Sequence, residues 1–410
     1  MADQTLARYV NNLKILTLLR MQGHASRADI ARQLSVTPAT ITRLISSLVD
    51  RGLVREIAPT GAVKSPSREL GRPAGSVGLN PEGGYFFGVE IAVGIIRFCL
   101  LDLAACVVDQ SETKIVRSIE PTAAIDEIAT QLHRLQQDRR YAGKIRSAGI
   151  TVPGIVTADG FVVNLPIMGW KQVDLLGLLA KTIDIPCFVE NDANAAAFGS
   201  TYTEPEMPRI CTVFLKLDEG CGGAAIVDGR LLRGANGTAG EFGHIRISDQ
   251  GRRCGCGQTG CLETYVGLTA LAISYHGTEK LSESQYAALP HEVAAAAQRG
   301  DERGLAAVAD FGCGLTRGIV TLVNIFNPTT IILGGPLLPV AALCVAAVSD
   351  GVTAGVVPGM VVPDIRLSRL GRQECAVGAA TIAHHHTFDI SYMDIFGDEG
   401  RDLRTRGSQG

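Results

Sequence analysis

Residues 241–263 read EFGHIRISDQGRRCGCGQTGCLE, a stretch in which one histidine and three cysteines stand close together. The imidazole of His244 and the thiolates of Cys254, Cys256 and Cys261 supply the four ligands of a tetrahedral zinc site, and the intervening glycines permit tight turns. A set of three cysteines and one histidine leaves no open position for a catalytic water. The stretch therefore predicts one structural zinc ion per chain, against the alternative of unrelated buried thiols.

The chain around this stretch has the composition of a globular protein from a reducing compartment. Hydrophobic residues make up 46% and charged residues 19% of its 410 residues, and this length suits two or three domains. The other cysteines are scattered, as expected of reduced thiols. The sequence shows no apolar run as long as a membrane helix and no signal sequence. We therefore expect a cytoplasmic protein with no membrane partner.

The first 80 residues are basic, whereas the remainder is acidic. They hold 11 Lys and Arg against 5 Asp and Glu, a balance of +6, and the rest holds 27 against 36, a balance of −9. This asymmetry favours nucleic acid as a partner of the N-terminal segment. Ordinary surface variation would explain the charges equally well, so the motifs must decide.

Three helices are predicted in the basic segment. The first ends near Gly23, and Ser26 caps a second that runs to about Leu34. Thr37 and Pro38 form the N-cap and first turn of a third. Apolar residues occupy one side of this third helix and small or hydroxyl side chains with one arginine the other, as in helices that enter the major groove of double-stranded DNA. The predicted DNA contacts are Thr37, Ala39, Thr40, Thr42, Arg43 and Ser46.

A polar loop between β-rich pieces at residues 53–57 and 77–79 predicts a wing, which makes residues 1–80 a winged helix-turn-helix DNA-binding domain. The loop contains Gly71-Arg72-Pro73, and Arg72 is predicted to lie in a narrow minor groove. Two alternatives stay open. The loop is a solvated linker, or the three helices are a small bundle that docks on another protein.

From Tyr85 onward, apolar runs of strand length alternate with helical patterns, which predicts an α/β region. Strands are expected at residues 85–91, 95–101 and 106–109, and a second strand-turn-strand opening begins at Ile210. This repetition predicts two related lobes with a cleft between them, where small molecules bind.

Four motifs of this region together resemble the ROK (repressor, open reading frame, kinase) family. They are Glu-x-Gly-His at 241–244, the cysteine-rich run at 254–263, Glu-Asn-Asp-Ala-Asn at 190–194 and Thr-Val-Pro-Gly at 151–154. The resemblance covers about residues 81–386 and implies a two-lobed actin-like ATPase (ribonuclease H-like) sugar-kinase fold. Lobe 1 would span 81–200, completed by a C-terminal helix at about 374–386. Lobe 2, with the zinc loop, would span 201–373, and 387–410 would be a loose tail.

The resemblance implies an effector sugar site made of five side chains, which are Asn191, Asp192, Glu241, His244 and Glu263. Carboxylates and an amide suit the hydroxyl groups of a sugar, and in the family's kinases the residue at the position of Asp192 is the general base. Taken alone, the Asn-Asp pair would rather be a helix cap.

The nucleotide side departs from the family's kinases. Residues 90–94 read Glu-Ile-Ala-Val-Gly where the kinases resemble Asp-x-Gly-x-Thr, and residues 218–220 read Asp-Glu-Gly where they carry Gly-Thr-Gly. Carboxylates here would face a triphosphate that backbone amides should cradle. We therefore expect no catalytic residue and no kinase activity, with Asp192 as a vestigial base.

The sequence thus predicts a DNA-binding transcription regulator, a repressor of carbohydrate genes, whose operator affinity changes when a sugar or sugar derivative enters the cleft. Because helix-turn-helix proteins read paired half-sites, a homodimer or homotetramer is expected. Two rivals stay open: an active ATP-dependent sugar kinase with a fused DNA-binding domain, and a regulator triggered by a protein partner. We further expect residues 384–386, three histidines, to be an exposed helix end, and Trp170 to lie either at the cleft or in the core.

Overall fold

The computed structural model describes residues 2–57, 75–204 and 210–387. Its N-terminal unit, called the head below, is a winged helix. The head consists of α1 (Ala2–Gln22), β1 (His24–Ser26), α2 (Arg27–Leu34), α3 (Pro38–Asp50), β2 (Val54–Ile57) and β3 (Ser76–Leu79). Strand β3 lies between β1 and β2 and pairs antiparallel with both. Arg72 lies outside the described residues, so its predicted minor-groove contact stays a prediction.

The local signals for the helices of the head are confirmed. The Ser26 hydroxyl accepts a hydrogen bond from the N–H of Asp29 at 3.1 Å, and the Thr37 hydroxyl accepts one from the N–H of Thr40 at 3.4 Å. The apolar side of α3 is fully buried in the core of the head. Its members are Ile41, Leu44, Ile45 and Leu48. The small polar side is therefore the side that α3 turns away from the core.

The first lobe of the body is built on a five-stranded sheet. Its elements are β4 (Tyr85–Ala92), β5 (Ile95–Asp102), β6 (Val107–Lys114), α4 (Pro121–Gln137), β7 (Ile145–Val152), β8 (Ile155–Val156), β9 (Val162–Leu165), β10 (Trp170–Val173), α5 (Leu175–Thr182), β11 (Cys187–Asn191) and α6 (Asp192–Thr203). The sheet order is β11-β7-β4-β5-β6, and β8 to β10 form a small separate sheet. Trp170 is buried in this lobe and its indole N–H donates to the carbonyl of Ile119 at 2.7 Å, so the core alternative is correct.

The second lobe repeats the topology of the first. Its elements are β12 (Cys211–Leu217), β13 (Cys221–Val227), β14 (Arg230–Leu231), α7 (Glu263–Val266), α8 (Leu268–His276), α9 (Glu283–Gln298), α10 (Glu302–Phe326), β15 (Thr330–Gly334), α11 (Leu338–Gly355) and β16 (Asp364–Leu367). The order β14-β13-β12-β15-β16 again joins an antiparallel meander to two parallel strands. The two related lobes predicted from the sequence are confirmed.

The last helix, α12 (Glu374–Thr387), returns to the first lobe. It packs so closely on β4, β7 and α6 that a Cβ atom at Gly88, Gly149 or Gly378 would collide with the backbone of the facing element. Since such contacts leave no room for sliding, α6 and α12 form one rigid pair. This pair runs through the body from the cleft side to the side that faces the head.

Two helices of the second lobe, α10 and α11, are long and apolar enough to cross a membrane by length and composition alone. No such stretch was expected from the sequence. More than half of the apolar window of α10 is buried inside the lobe, with Leu315, Ile319 and Leu322 fully covered, whereas 28% of the window of α11 is buried. Core helices of water-soluble proteins pass the same test, so these two helices are weak evidence for a membrane.

Candidate effector site and DNA surface

The start of α6 brings two of the sequence motifs together. The side-chain oxygen of Asn191 caps the helix by accepting from the N–H of Asn194 at 3.1 Å, and its amide nitrogen donates to the carbonyl of Gly154 at 3.0 Å. The capping role weighed for this residue is therefore real. It also fixes the loop at 151–154 against the helix that carries Asp192.

Asp192 is buried and holds two partners. Its Oδ1 accepts from the N–H of Ala193 at 2.8 Å, and its Oδ2 lies 2.5 Å from Nζ of Lys216 on β12. The same ammonium lies 3.0 Å from Oδ2 of Asp218. Burial opposes a charge on Lys216, but Asp192 and Asp218 outweigh it and hold the pKa of the lysine well above its ordinary value. Burial would likewise raise the pKa of Asp218, yet Lys216 brings it below its usual range.

Other ion pairs line the same region. Arg97 donates to Glu90 at 3.0 Å, inside the first lobe. Two further pairs join the lobes: Arg233 reaches Glu190 at 2.6 Å, and Arg117 reaches Glu219 at 3.1 Å. Arg117 also lies 3.6 Å from Glu283, so with Lys216 and Asp192 four cation-carboxylate contacts of the described residues join the lobes across the cleft.

Glu374 adds a buried acid at the start of α12. Its carboxyl group lies against Gly334 at the end of β15, within the space that a Cβ atom at that glycine would occupy. Burial raises the pKa of Glu374 to about 7, Lys216 opposes this, and Glu90 adds to it. The deep end of the cleft therefore holds four carboxyl groups against two cations.

Two of the predicted sugar contacts, Glu241 and Glu263, lie beside a third, His244. Its Nε2 is 3.8 Å from Oε2 of Glu241, and its Nδ1 is 3.7 Å from Oε1 of Glu263. Burial raises the pKa of Glu241; His244 opposes this rise, and the carboxylates of Asp192 and Glu263 add to it. Asp192, Glu241, His244 and Glu263 are thus brought together, with Asn191 adjacent in the chain.

The four predicted metal ligands also converge, with all ligand atoms within 4.8 Å of one another. The sulfurs of Cys256 and Cys261 are 3.7 Å apart, and the sulfur of Cys254 lies 3.5 Å from Nδ1 of His244. Tetrahedral zinc bonds of about 2.3 Å to sulfur and about 2.0 Å to nitrogen would separate such atoms by about 3.8 and about 3.5 Å. The donor set and its spacing fit a closed zinc site.

The predicted DNA contacts of α3 form one outward face. Thr37, Ala39, Thr42, Arg43 and Ser46 are exposed, and Thr40 is half-buried. Two of the hydroxyls hydrogen-bond locally: Thr42 donates to the carbonyl of Pro38, and Thr37 donates to the Thr40 hydroxyl, both at 2.9 Å. The predicted contacts on this face are therefore short side chains, mostly polar, apart from the long side chain of Arg43.

The head touches the body through a cluster that sequence reasoning missed. Arg20 of α1 lies over the ring of Tyr202 at 3.7 Å and donates to its carbonyl at 3.1 Å. The Tyr202 hydroxyl lies 2.8 Å from Nδ1 of His384, whose Nε2 lies 3.0 Å from the carbonyl of Leu103. Burial lowers the pKa of His384 to about 3, so this histidine is neutral. The expected exposed helix end is wrong for His384, because the head and α6 cover it.

The head and the body match the models of two different protein families. A ROK family model matches residues 86–386, and a MarR family model matches residues 9–60. The chain belongs to the ROK family. The matches confirm the resemblance drawn from the four motifs, and they place a MarR-type DNA-binding segment before the ROK region.

Known transcription regulators match most of the chain. The xylose repressor of Bacillus spizizenii is 28% identical over 396 residues, covering 96% of this chain and 99% of the repressor. The DNA-binding transcriptional dual regulator NagC of Escherichia coli is 26% identical over 360 residues, covering 83% and 85% of the two chains.

Solved structures confirm the two-lobed sugar-kinase fold. A ROK family transcriptional regulator described as a homolog of the Escherichia coli Mlc protein superimposes with a TM-score of 0.77 over 93% of this chain and 97% of its own, at 24% identity. A ROK family glucokinase from Streptomyces griseus, solved with glucose and AMPPNP, reaches 0.62 at 25% identity over 74% of this chain and all of its own. The kinase fold is therefore shared between regulators and enzymes of this family.

Lys216 was not among the site residues predicted from the sequence. The one signal available was a lysine in the middle of the apolar strand Val213 to Leu217, where a charge needs a partner. Nor was the contact of Arg20 with Tyr202 predicted, because a contact between residues 182 positions apart leaves no local pattern.

Proposed function

We propose that this ROK family chain is a sugar-responsive transcription regulator, a repressor of carbohydrate genes. It binds double-stranded operator DNA through the outward face of α3 and the wing, with Arg72 in the minor groove. It senses a sugar or sugar derivative in the cleft. One observation carries the proposal. The same chain has a helix face of small polar side chains and a kinase-like cleft in which Lys216 pairs with the vestigial base, Asp192. The regulators that match 83 to 96% of this chain support it.

The sugar site would consist of Asn191, Asp192, Glu241, His244 and Glu263. The carboxylates accept hydrogen bonds from sugar hydroxyls, and such charge-assisted bonds are the strong ones. Nδ1 of His244 faces the cysteine sulfurs, so the same imidazole can bind zinc through Nδ1 and a sugar hydroxyl through Nε2. This division gives His244 both of its predicted roles.

One structural zinc ion per chain, held by His244, Cys254, Cys256 and Cys261, would brace this site. When bound, the metal cross-links the loop between β14 and α7, which carries His244 at one end and leads into Glu263 at the other. Because sugar contacts sit on a loop without long secondary structure, such bracing would fix their positions.

The chain would not act as a kinase. An ammonium group that neutralises Asp192 makes its carboxylate a poorer base for a sugar hydroxyl. Asp218 and Glu219 occupy the turn where backbone amides would have to cradle phosphates, and their charges repel a triphosphate. The likeness to the Streptomyces griseus glucokinase keeps an active sugar kinase as the second candidate.

The rigid pair of α6 and α12 offers a route from sugar to DNA. Helix α6 begins with Asp192 in the cleft and carries Tyr202 near its other end, about 15 Å away at 1.5 Å per residue. A cavity of about 170 Å³ beside Arg20 leaves room for α1 to shift against the body. Tyr202→Ala is expected to keep sugar and DNA binding but to reduce the ratio of operator affinities without and with sugar.

The working species would be a homodimer or homotetramer in the cytoplasm, since paired half-sites demand two heads. In this arrangement residues 1–80 form the DNA-binding domain, 81–200 with about 374–386 the first lobe, and 201–373 the second. The tail at 387–410 lies almost wholly outside the described residues.

The proposal is tested by recovering genomic fragments that the full chain binds, with and without a panel of sugars. A shared inverted repeat, released by one sugar, is the expected result. ADP formation from ATP with any hexose, abolished by Asp192→Asn, would instead establish the kinase. Fragments released by a sugar-transport protein and by no sugar would favour a protein trigger.

A further inference from the structure

We infer that the effector is an uncharged sugar and that the charges around Lys216 exclude a sugar phosphate. The inference rests on the proposed function, because it assumes that the cleft binds a sugar. It concerns the hydroxyl group that lies against Asp192, since a phosphate carried on that hydroxyl would lie beside Asp192 and the turn that follows β12.

The cations around Lys216 are already paired with carboxylates, and the other ionisable groups there are acidic. Lys216 lies 2.5 Å from Asp192 and 3.0 Å from Asp218, so its charge is shared by two carboxylates. Arg97, the second cation, is engaged by Glu90 at 3.0 Å. Glu374 adds a further buried carboxyl group. Four acids therefore surround two cations, and neither cation can meet a phosphate without leaving a buried carboxylate unpaired.

The mouth of the same region is no more favourable to an anion. Glu219 follows Asp218 in the turn, and its cation, Arg117, is shared with Glu283. Gly220, the next residue, lies against the carboxylate of Glu263, because a Cβ atom there would stand 2.7 Å from it. A phosphate at the turn would meet carboxylates on both sides where phosphate-binding loops present backbone N–H groups.

A neutral hydroxyl fits the same arrangement. It can donate a hydrogen bond to Asp192 and accept one from Lys216 without disturbing the ion pair, because a hydroxyl group is both donor and acceptor. The buried pair thereby recognises a hydroxyl and penalises a negative charge, which gives selectivity through an unfavourable interaction with the wrong ligand.

The experiment is calorimetric titration of the full chain with matched pairs: D-xylose and its 5-phosphate, D-glucose and its 6-phosphate, and N-acetyl-D-glucosamine and its 6-phosphate. We expect one neutral sugar to bind at least 100-fold more tightly than its phosphate. A phosphate that binds as tightly as its parent sugar, or more tightly, overturns the inference but leaves the sugar-binding proposal standing. Binding of neither member of any pair contradicts both.

A charge-removing variant tests the cause. Asp218→Asn removes one carboxylate from a side chain that is about one-third exposed, so the fold should tolerate it, and melting curves check this. In this variant, the ratio of the dissociation constants of the sugar phosphate and the neutral sugar is expected to fall at least tenfold. Glu127→Gln removes an exposed carboxylate on α4, outside these ion pairs, and should leave the preference unchanged. Equal preferences in wild type and Asp218→Asn would mean that charge does not set the selectivity.

Discussion

The ammonium group of Lys216 lies 2.5 Å from Oδ2 of Asp192, and the two side chains are more than nine-tenths buried. One comes from β12 of the second lobe and the other from the start of α6 in the first. The residue at the position of the family's catalytic base is thus part of a salt bridge between the lobes. If the chain is the proposed regulator, this salt bridge would keep Asp192 in the cleft as a poor base.

Breaking the Lys216 pair should be costly. Lys216→Met leaves the buried carboxylate of Asp192 without its cation, and removal of one partner of a buried pair costs about 3 to 5 kcal/mol of folding free energy. The double variant Lys216→Met/Asp192→Asn should recover much of this loss, because it removes both charges. Urea unfolding of the four proteins measures the coupling, and additive losses would show that the pair contributes nothing of its own.

Glu374 predicts a fall in stability as the pH rises. Its pKa is raised from 4.5 to about 7 by burial, so the folded state holds a proton that the unfolded state has already lost between these values. Stability therefore decreases from about pH 4.5 to about pH 7 and levels off above it, by about 3 kcal/mol at most.

Glu374→Gln isolates this effect, because the amide carries no titrating proton. The variant should melt at a higher temperature than wild type at pH 8 and show a flatter pH profile between 4.5 and 7. A profile that stays parallel to that of wild type would place the titration on another group.

Purified protein should contain about one zinc ion per chain. Cys256→Ser removes one ligand at the exposed side of the site and should lose most of the metal on dialysis against a chelator. Cys313→Ser is the matched control, because Cys313 is also exposed but lies on α10 outside the cluster. Elemental analysis decides, and less than about half an equivalent in wild type would exclude a structural site.

Arg43 should contribute to operator binding through a base edge. Arg43→Ala is expected to weaken binding by about 1 to 3 kcal/mol and to relax the preference at one base pair. Arg303→Ala removes the same charge from an exposed position on α10 of the body and should leave the operator affinity unchanged. Equal affinities of wild type and Arg43→Ala would remove Arg43 from the set of DNA contacts.

Local chemistry made much of the fold predictable. The caps at Ser26 and Thr37 and the apolar side of α3 are set by neighbours within one or two turns, so the sequence states them directly. The repeated strand-turn-strand patterns that begin at Tyr85 and Ile210 predicted two related lobes. The ligand spacing between His244 and Cys261 likewise predicted a cluster that the structure assembles.

The contacts that organise the cleft were not predictable in the same way. Lys216 on β12 contacts Asp192 on α6 only when the two lobes pack together. The pair therefore leaves no periodic pattern in the sequence. The sequence pattern places His384 at an exposed helix end. In the structure, Tyr202 and the head cover it. Long-range packing, which no window of sequence contains, therefore decides both which charges are paired and which histidine is buried.

The most direct test is the affinity of the full chain for its operator, measured by fluorescence anisotropy at fixed salt with and without each sugar of the panel. We expect one neutral sugar to change the dissociation constant at least tenfold, which is about 1.4 kcal/mol. A chain that binds no DNA, or one whose operator affinity no sugar changes, would contradict the proposed function.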